Sequence, residues 1–270
     1  MTFVSGSVTA IFSPFIHEKP ERSGSYGVGF TIDAGVEAKW IDKEEIFLNG
    51  ERVSIPPVEI VIEELGGRGI ELSTELPISC GFGVSGASAL ACGIELNLRC
   101  NLGLSLSDIA DLAHKAEVIS RTGLGDVVTQ FHGGVIARLK PGNPSTAEVR
   151  RYVFQQEFDF LVLGKLSTRD VLENEITGEK VRRAGENYLR EFLKKPSIES
   201  LFSCSKSFAV DSGLMDDEIM DVIEAVESDG GMASMVMLGR AVFAVKGKDA
   251  LEEFRGQKFS ARMAPCGIKI

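Results

Sequence analysis

Apolar and polar positions along the chain predict a strand-rich first part. β-branched and aromatic residues, separated by Gly, Pro and Asn, recur in "GSVTAIF", "GVGFTIDAGVEAKW", "EIFLNG" and "PPVEIVIEEL". This pattern predicts strands through residues 1–76, the segment 56–65 included. Between two of these runs, Asn49-Gly50 is the dipeptide that tight β-hairpins favour, so it predicts a hairpin turn.

Helical periodicity begins at about residue 86. Small and apolar residues predict a helix at about 86–98, and Ser105 with Asp108 forms a capping box in front of a second apolar helical face. "GLGDVVTQFHGGVIARL" predicts a short helix or turn and then a strand. Further on, the pattern predicts a strand at "FDFLVLG", charged helices at 170–195, an amphipathic helix at "MDDEIMDVIEAVES", strand material at "MASMVMLGRAVFAV" and a strand pair in the last residues.

The order of these elements predicts a mixed α+β fold in two unequal parts. The polar, proline-containing stretch "KPGNPSTAE" separates them, with a boundary near 141–148. We therefore predict a larger β-rich domain at 1–145 and a smaller α+β domain at 146–270.

Composition and charge narrow the function classes. The formal net charge of −10 argues against general binding to nucleic acid or to an anionic membrane. The five cysteines contain no CxxC pair and suggest reduced interior residues, and no cluster of zinc ligands is visible. No segment has the pattern of a signal peptide or the length of a membrane span, so a cytoplasmic location is expected.

The glycine-rich segment Gly81–Gly86 satisfies the pattern G-x-G-x-x-G, which three phosphate-binding designs share. A dinucleotide fold needs a second strand after the helix, but "RCNLGLSLSD" leads into another helix. A P-loop needs a lysine where Ala87 stands. A glycine turn at a helix N-terminus that binds an anion remains, beside a tight turn with no ligand.

The surrounding residues favour the anion-binding alternative. "PISCGFGVSGASALA" resembles the second signature of the GHMP kinases, P-x-x-x-G-L-G-S-S-A-A, with Val84 in place of its first serine and Gly86 in place of its first alanine. The resemblance implies a nucleotide-binding segment made of Pro77, Gly81, Phe82, Gly83, Val84, Ser85, Gly86 and Ala87.

Other signatures of the family follow in order. "AEVISRTGLGDVVTQFHGG" is similar to the segment that carries a metal-binding glutamate and a catalytic aspartate, here Glu117 and Asp126. "DGGMASMVMLG" resembles the third, glycine-rich signature, at 230–234. The first signature matches poorly, because its Gly-Glu-His is missing. The variants "GFGVSGA" and "TGLGD" look most like the archaeal branch that phosphorylates pantoate for coenzyme A biosynthesis.

The resemblance implies a two-domain GHMP kinase fold, ATP and Mg²⁺ as cofactors, and the terminal hydroxyl of (R)-pantoate as acceptor. In the family's scheme Ser85 and Glu117 hold Mg²⁺, and Asp126 accepts or orients the proton of the hydroxyl. Members are often dimeric, so a homodimer is expected. Taken alone, Ser85 could cap a helix, Glu117 could lie on the surface and Asp126 could be an ordinary turn residue.

Four further residues are candidates for binding the acceptor. His114 lies three residues before Glu117 on the same helix face, and Arg138 could hold a carboxylate through two N–H groups. Ser25 lies in a glycine-rich segment that permits close approach, and Thr168 follows a strand. The ordinary alternatives are a surface or core histidine, an exposed strand arginine and a helix cap at Thr168.

Other functions stay open at this point. The chain could be a GHMP kinase for a mevalonate-, homoserine- or shikimate-like acceptor, or a ligand-binding protein without catalytic activity on the same scaffold. An NAD-dependent oxidoreductase is a third alternative, which predicts nicotinamide binding without a magnesium requirement. The pair Glu117 and Asp126 favours an enzyme, because a binding protein needs neither.

Overall fold

A long antiparallel hairpin of β1 (Thr2–Phe15) and β2 (Gly24–Ile41) organises the described part of the chain, residues 1–165 and 175–270 of a computed structural model. The register pairs Val8 with Phe30 and shifts between Ser5 and Ser7 and again between Thr9 and Ile11. Such bulges change the direction of side chains within a strand. Here they occur in the stretch of β1 that borders the candidate site.

The first sheet has the order β12-β1-β2-β5-β3-β4, and the first half of β2 also pairs with β6, which pairs with β7. Its remaining strands are β3 (Ile46–Leu48), β4 (Glu51–Arg52), β5 (Gly69–Thr74), β6 (Val135–Lys140), β7 (Glu148–Tyr152) and β12 (Ile268–Lys269). The predicted hairpin turn is confirmed: β3 and β4 pair antiparallel across Asn49 and Gly50, whose φ angles are 52° and 82°.

The strand predicted at 56–65 is wrong, because these residues form helix α1 (Pro56–Leu65). Two prolines occupy its first turn, where a helix needs no N–H donor, and Gly66 ends it in the left-handed conformation. Val58 and Val61, three residues apart, are both buried. The helical spacing of the apolar residues therefore matters more here than their β-branched character, which favours a strand.

Three further helices complete the first part: α2 (Val84–Cys100), α3 (Leu106–Ser120) and α4 (Asp126–His132). Helix α2 packs on β1 and β2 and is flanked by α1 and α3. The predicted capping box is confirmed, since the Asp108 N–H donates to Ser105 Oγ at 3.1 Å and the Ser105 N–H donates to Asp108 Oδ2 at 3.0 Å.

The second sheet has the order β11-β8-β10-β9, all antiparallel. Its strands are β8 (Glu157–Gly164), β9 (Met232–Val236), β10 (Arg240–Val245) and β11 (Gln257–Arg262). Its helices are α5 (Glu175–Lys194), α6 (Ile198–Ser212), α7 (Asp217–Ser228) and α8 (Lys248–Glu252). The two predicted terminal strands exist, but they do not pair with each other: β11 joins β8 and β12 joins β1.

Aromatic rings join the two sheets into one core. Phe30 on β2 lies 4.8 Å from Phe158 on β8, measured between ring centroids, and Phe82 lies 5.5 Å from Phe160. The predicted mixed α+β class is confirmed. The division near 141–148 stays a prediction.

All five cysteines are free thiols. Cys80, Cys92 and Cys204 are buried, whereas Cys100 and Cys266 are exposed. Within residues 1–165 and 175–270, no helix combines the length and the apolar character that crossing a bilayer requires.

Candidate active site

A cleft of about 440 Å³ opens where three chain segments meet. These are the loop before α2, the segment between α3 and α4, and the turn between β9 and β10. Of the residues predicted from the sequence, its lining includes Gly81, Phe82, Gly83, Val84, Ser85 and Asp126.

Two glycines give the loop its shape. Gly81 and Gly83 have φ angles of 87° and 63°, a region that residues with a Cβ rarely adopt. A Cβ on Gly83 would overlap Ser7 Oγ and lie 2.8 Å from Gln130 Nε2. The first N–H groups of α2, which have no acceptor within a helix, therefore stand at the cleft, and with the helix dipole they favour an anion.

The other predicted loop residues support this turn from behind. The Phe82 ring packs against the rings of Phe160 and Phe259. Ala87 is fully buried, and its N–H donates to the Gly83 carbonyl at 3.0 Å. A Cβ on the buried Gly86 would lie 3.1 Å from Gln130 Oε1. Pro77 is half-buried and outside the lining.

Glu117, near the end of α3, is a buried carboxylate with only 1% of its surface exposed. Thr122 Oγ1 donates to its Oε1 at 2.7 Å, whereas its Oε2 has no hydrogen-bond partner within the part of the chain that the structure describes. Burial raises the pKa of Glu117 to about 7; the Thr122 and Ser85 hydroxyls lower it, and the charge of Asp126 raises it further. A surface position for Glu117 is thereby excluded.

Gly123 leaves room for two carboxylates. A Cβ on Gly123 would overlap Glu117 Oε2 and lie 3.2 Å from Asp126 Oδ2, so both oxygens flank the same small volume. The described residues contain no cluster of three His, Cys, Asp or Glu side chains that could hold a metal ion by themselves. Mg²⁺ prefers oxygen ligands, keeps several waters and is completed by substrate phosphates. The unpartnered Oε2 beside the Ser85 hydroxyl fits that chemistry.

Asp126 is the first residue of α4 and is half-buried. Its Oδ1 accepts a hydrogen bond from Ser7 Oγ at 2.9 Å. Burial raises the pKa of Asp126, and the Ser7 hydrogen bond and the charge of Arg138 act against it. Asp126 also borders a second, smaller cavity of about 20 Å³, together with Ser25 and Arg138. The two cavities therefore meet at this carboxylate.

Arg138, on β6, is a buried cation with 2% of its surface exposed. Its Nε donates to the Ser25 carbonyl at 3.3 Å and its Nη1 to Thr129 Oγ1 at 2.9 Å, whereas Nη2 has no hydrogen-bond partner in residues 1–165 and 175–270. Burial lowers the pKa of Arg138 to about 10, against the influence of Asp126. An exposed strand arginine, the ordinary alternative, is excluded. A Cβ on Gly125 would lie 2.6 Å from Ser25 Oγ and 2.9 Å from Arg138 Nε, so this glycine permits their close approach.

The other residues predicted from the sequence do not line either cavity or lie outside the described residues. His114 is buried and lines neither cavity; its Nε2 donates to the Ser23 carbonyl at 2.9 Å, two residues before Ser25. Its contact with a substrate stays a prediction. Thr168 lies outside the described residues. The segment 230–234 forms a turn and strand β9, and Met237 and Leu238, just beyond β9, line the cleft instead.

Several lining or supporting residues were not predicted. Lys165 and Arg121 border the cleft and bring positive charge to an acidic protein. Ser7 lies 119 positions from Asp126 along the chain, and only the fold brings them together. No sequence motif marks Ser7, and Gln130 lies in the signature segment around Asp126 but was assigned no role there. Lys165, directly after strand β8, carried no signal beyond its charge.

A glycine turn at a helix N-terminus and an aspartate line one cleft, and a buried glutamate lies beside that aspartate, an arrangement that suits phosphoryl transfer to a small molecule. Residues 56–134 match the family model "GHMP kinases N terminal domain". The pantoate kinase of Methanocaldococcus jannaschii is 34% identical over 260 residues, 93% of this chain and 94% of that protein. The pantoate kinase of Thermococcus kodakarensis is 33% identical over 262 residues, 90% of this chain and 86% of that protein.

The fold agrees with these sequence matches. A solved structure described as "Phosphotransferase related to CoA biosynthesis pathway" superposes with a TM-score of 0.88 at 27% identity, covering 99% of this chain and 97% of the other. The chain belongs to the pantoate kinase family of the GHMP kinases. The resemblance stated from the sequence is confirmed.

Proposed function

We propose that this protein transfers the γ-phosphoryl group of ATP to the terminal hydroxyl of (R)-pantoate, with Mg²⁺ as cofactor. The observation that carries the proposal is the position of Asp126, which borders both the cleft of about 440 Å³ and the small cavity at Arg138. The similarity to pantoate kinases over nine-tenths of the chain supports this choice of acceptor.

The larger cleft is the proposed site of the nucleotide phosphates. Backbone N–H groups at the start of α2 point to it, and Lys165 and Arg121 add positive charge at its border. These local donors offset the overall charge of −10, which would otherwise repel ATP. Pro77, Gly86 and Ala87 would act by shaping the loop.

Ser85 and Glu117 would hold Mg²⁺, which neutralises charge on the phosphates during transfer. The pKa of about 7 for Glu117 describes the protein without the ion. A cation beside Oε2 would favour the ionised carboxylate, because opposite charges stabilise each other in a buried site.

Asp126 would accept or orient the proton of the attacking hydroxyl. Its Oδ1 already accepts the Ser7 hydrogen bond, so Oδ2 is the oxygen left for the substrate. Such a group contributes about 10²- to 10⁴-fold in rate.

Arg138 and Ser25 would hold the carboxylate end of the acid. The cavity that they border is only about 20 Å³, which admits one end of the molecule rather than the whole. The unpartnered Nη2 offers a charge-assisted N–H bond there. The remainder of the acid would extend past Asp126 into the cleft, which directs its far hydroxyl towards the phosphates. His114 and Thr168 stay proposed acceptor-binding residues: His114 would act through the Ser23 carbonyl that it binds, and Thr168 lies outside the described residues.

The proposal includes a cytoplasmic location, a homodimer and a division into domains at 1–145 and 146–270. The family resemblance supports the dimer, and sedimentation of the purified chain tests it. A monomer at working concentration would remove that part of the proposal and leave the chemistry intact.

The test of function is ADP release from ATP and Mg²⁺ with pantoate, mevalonate, homoserine and shikimate offered separately. Wild type, Asp126→Asn and the control Asp249→Asn, an exposed position on α8, are compared. We expect turnover with pantoate alone, a loss of about 10²- to 10⁴-fold in Asp126→Asn and none in the control. Turnover with another acid instead would refute pantoate, and no turnover with any acid would refute the kinase proposal.

A further inference from the structure

Ser7 connects the candidate catalytic carboxylate with the rest of the site. The side chain is buried, with 1% of its surface exposed, and its Oγ donates to Asp126 Oδ1 at 2.9 Å. A hydroxyl has one proton, so this donation leaves Ser7 only as an acceptor towards other groups. It accepts from Gln130 Nε2 at 3.2 Å.

Gln130 extends this connection to the phosphate loop. Its Nε2 also donates to the Gly83 carbonyl at 2.8 Å, which fixes the orientation of the amide because a carbonyl only accepts. Gln130 is fully buried on α4, one turn beyond Asp126. One amide thus binds both the loop that caps α2 and the hydroxyl that binds Asp126.

We propose that Ser7 and Gln130 are positioning residues for phosphoryl transfer, which hold Asp126 at a fixed place relative to Gly83 and leave its Oδ2 for the acceptor hydroxyl. This inference rests on the proposed function. Neither side chain lines the cleft, so neither touches the substrate. Their effect is on the geometry of Asp126 against the phosphates.

The physical reason is the sensitivity of transfer reactions to alignment. Displacing a reacting group by about 1 Å can cost about 10²-fold in rate. Without the Ser7 hydroxyl, the Asp126 side chain can rotate about χ1 and χ2, and the distance between its oxygen and the acceptor is no longer set. Binding of ATP and of the acid depends on other groups, so it changes little.

The experiment measures kcat and KM for ATP and for pantoate in Ser7→Ala, Gln130→Met and the double variant. The control is Ser5→Ala, which removes another buried hydroxyl of β1 that donates to the Cys266 carbonyl at 3.3 Å. We expect kcat to fall about 10- to 100-fold in Ser7→Ala with both KM values within about threefold of wild type. The control should keep the kcat of wild type.

The double variant separates a connected pair from two independent packing positions. Gln130 acts on Asp126 through Ser7 and on the loop through the Gly83 carbonyl, so a separate effect of Gln130→Met should appear in the KM for ATP. Because the connection to Asp126 is shared, the double variant should lose no more kcat than Ser7→Ala alone. The inference would be overturned if the kcat losses of the single variants multiplied in the double variant. It would also be overturned if Ser7→Ala kept the kcat of wild type or changed only KM. Thermal unfolding of each variant checks that it is folded; should Ser7→Ala not fold, Ser7→Cys keeps the size of the side chain and weakens its hydrogen bonds. An inactive wild type would instead refute the proposed function.

Discussion

Glu117 illustrates how burial sets the protonation of a single side chain. Oε1 accepts a hydrogen bond from Thr122, whereas Oε2 is buried and none of the described residues donates to it. An ionised carboxylate without compensation is unfavourable there, and its pKa accordingly rises from 4.5 to about 7. Glu117 is therefore mainly neutral at mildly acidic pH.

This shift predicts how stability depends on pH without metal and nucleotide. The folded-state pKa of Glu117 lies above its unfolded value. Its contribution to the free energy of unfolding is therefore complete below pH 4.5 and is lost as pH rises through about 7. Glu117→Gln has no such loss. The free energy of unfolding of the variant relative to wild type should thus rise by at most about 3 kcal/mol between pH 5 and pH 8. Urea unfolding of both proteins across this range measures it.

Glu95 provides the matched control. It is equally buried, and burial alone would raise its pKa, but hydrogen bonds from Arg99, the Trp40 N–H and Thr2 lower the pKa on balance. Glu95 is therefore ionised in both states above its unfolded pKa, and the difference between Glu95→Gln and wild type should stay constant from pH 5 to pH 8. A constant difference for Glu117→Gln as well would contradict the prediction.

The sequence predicted the site residues that lie in the family signatures better than the residues that support them. The local signatures predicted Gly81, Gly83, Ser85 and Asp126, which line one cleft, and Glu117, which lies outside that lining with its Oε2 close to Asp126 Oδ2. Ser7 lies in no signature and Gln130 has no assigned role in the one that contains it, because their chemistry depends on contacts across 119 and 47 chain positions. A serine in a strand and a glutamine in a helix look ordinary until the fold places them beside Asp126 and Gly83.

At the scale of elements, α1 shows why composition misled the prediction. Its Val and Ile residues favour a strand, but two prolines start a helix and Gly66 ends it. The apolar positions recur at a spacing of three, which puts Val58 and Val61 on one buried face. Over only ten residues both interpretations fit, and packing against α2 decides.

The two helix ends at Gly66 and Gly83 give a matched pair of substitutions. Both glycines have nearly the same backbone, with φ angles of 65° and 63°. A Cβ on Gly66 would meet nothing within 4 Å, whereas one on Gly83 would overlap Ser7 Oγ. Gly66→Ala should therefore cost only backbone strain, about 1–2 kcal/mol, and keep full activity.

Gly83→Ala carries the same strain and also displaces Ser7 or the loop itself. We expect a larger loss of stability than in Gly66→Ala, together with a fall in kcat and weaker ATP binding, because the N–H groups at the start of α2 move. Chemical unfolding and steady-state kinetics on both variants provide the comparison. Equal stability losses and unchanged kinetics in both would show that the loop tolerates a side chain at this position.

At the scale of the whole molecule, the two sheets share contacts that make separate unfolding unfavourable. Phe30 and Phe82 of the first part pack on Phe158 and Phe160 of the second, and β12 returns to pair with β1. A Cβ on Gly239 would overlap the Cys80 carbonyl, so the two cleft loops are also in direct backbone contact.

We therefore expect one cooperative unfolding transition rather than two. Scanning calorimetry should give equal calorimetric and van't Hoff enthalpies, and circular dichroism and tyrosine fluorescence should report the same midpoint. Two resolved transitions would mean that the shared aromatic core contributes little. Trp40 on β2 reports the first part alone, whereas the tyrosines report both parts, with Tyr26 on β2, Tyr152 on β7 and Tyr188 on α5.

Two side-chain atoms in the site, Glu117 Oε2 and Arg138 Nη2, are buried without a hydrogen-bond partner among the described residues. Each such atom costs about 1–3 kcal/mol, more for a charged group. A laboratory selection for thermal resistance that ignores activity would therefore replace these two residues early and keep the fold. Given the roles proposed for Glu117 and Arg138, the resulting enzyme would be more stable and inactive, so selection of stabilised variants of this protein needs turnover as a second criterion from its first round.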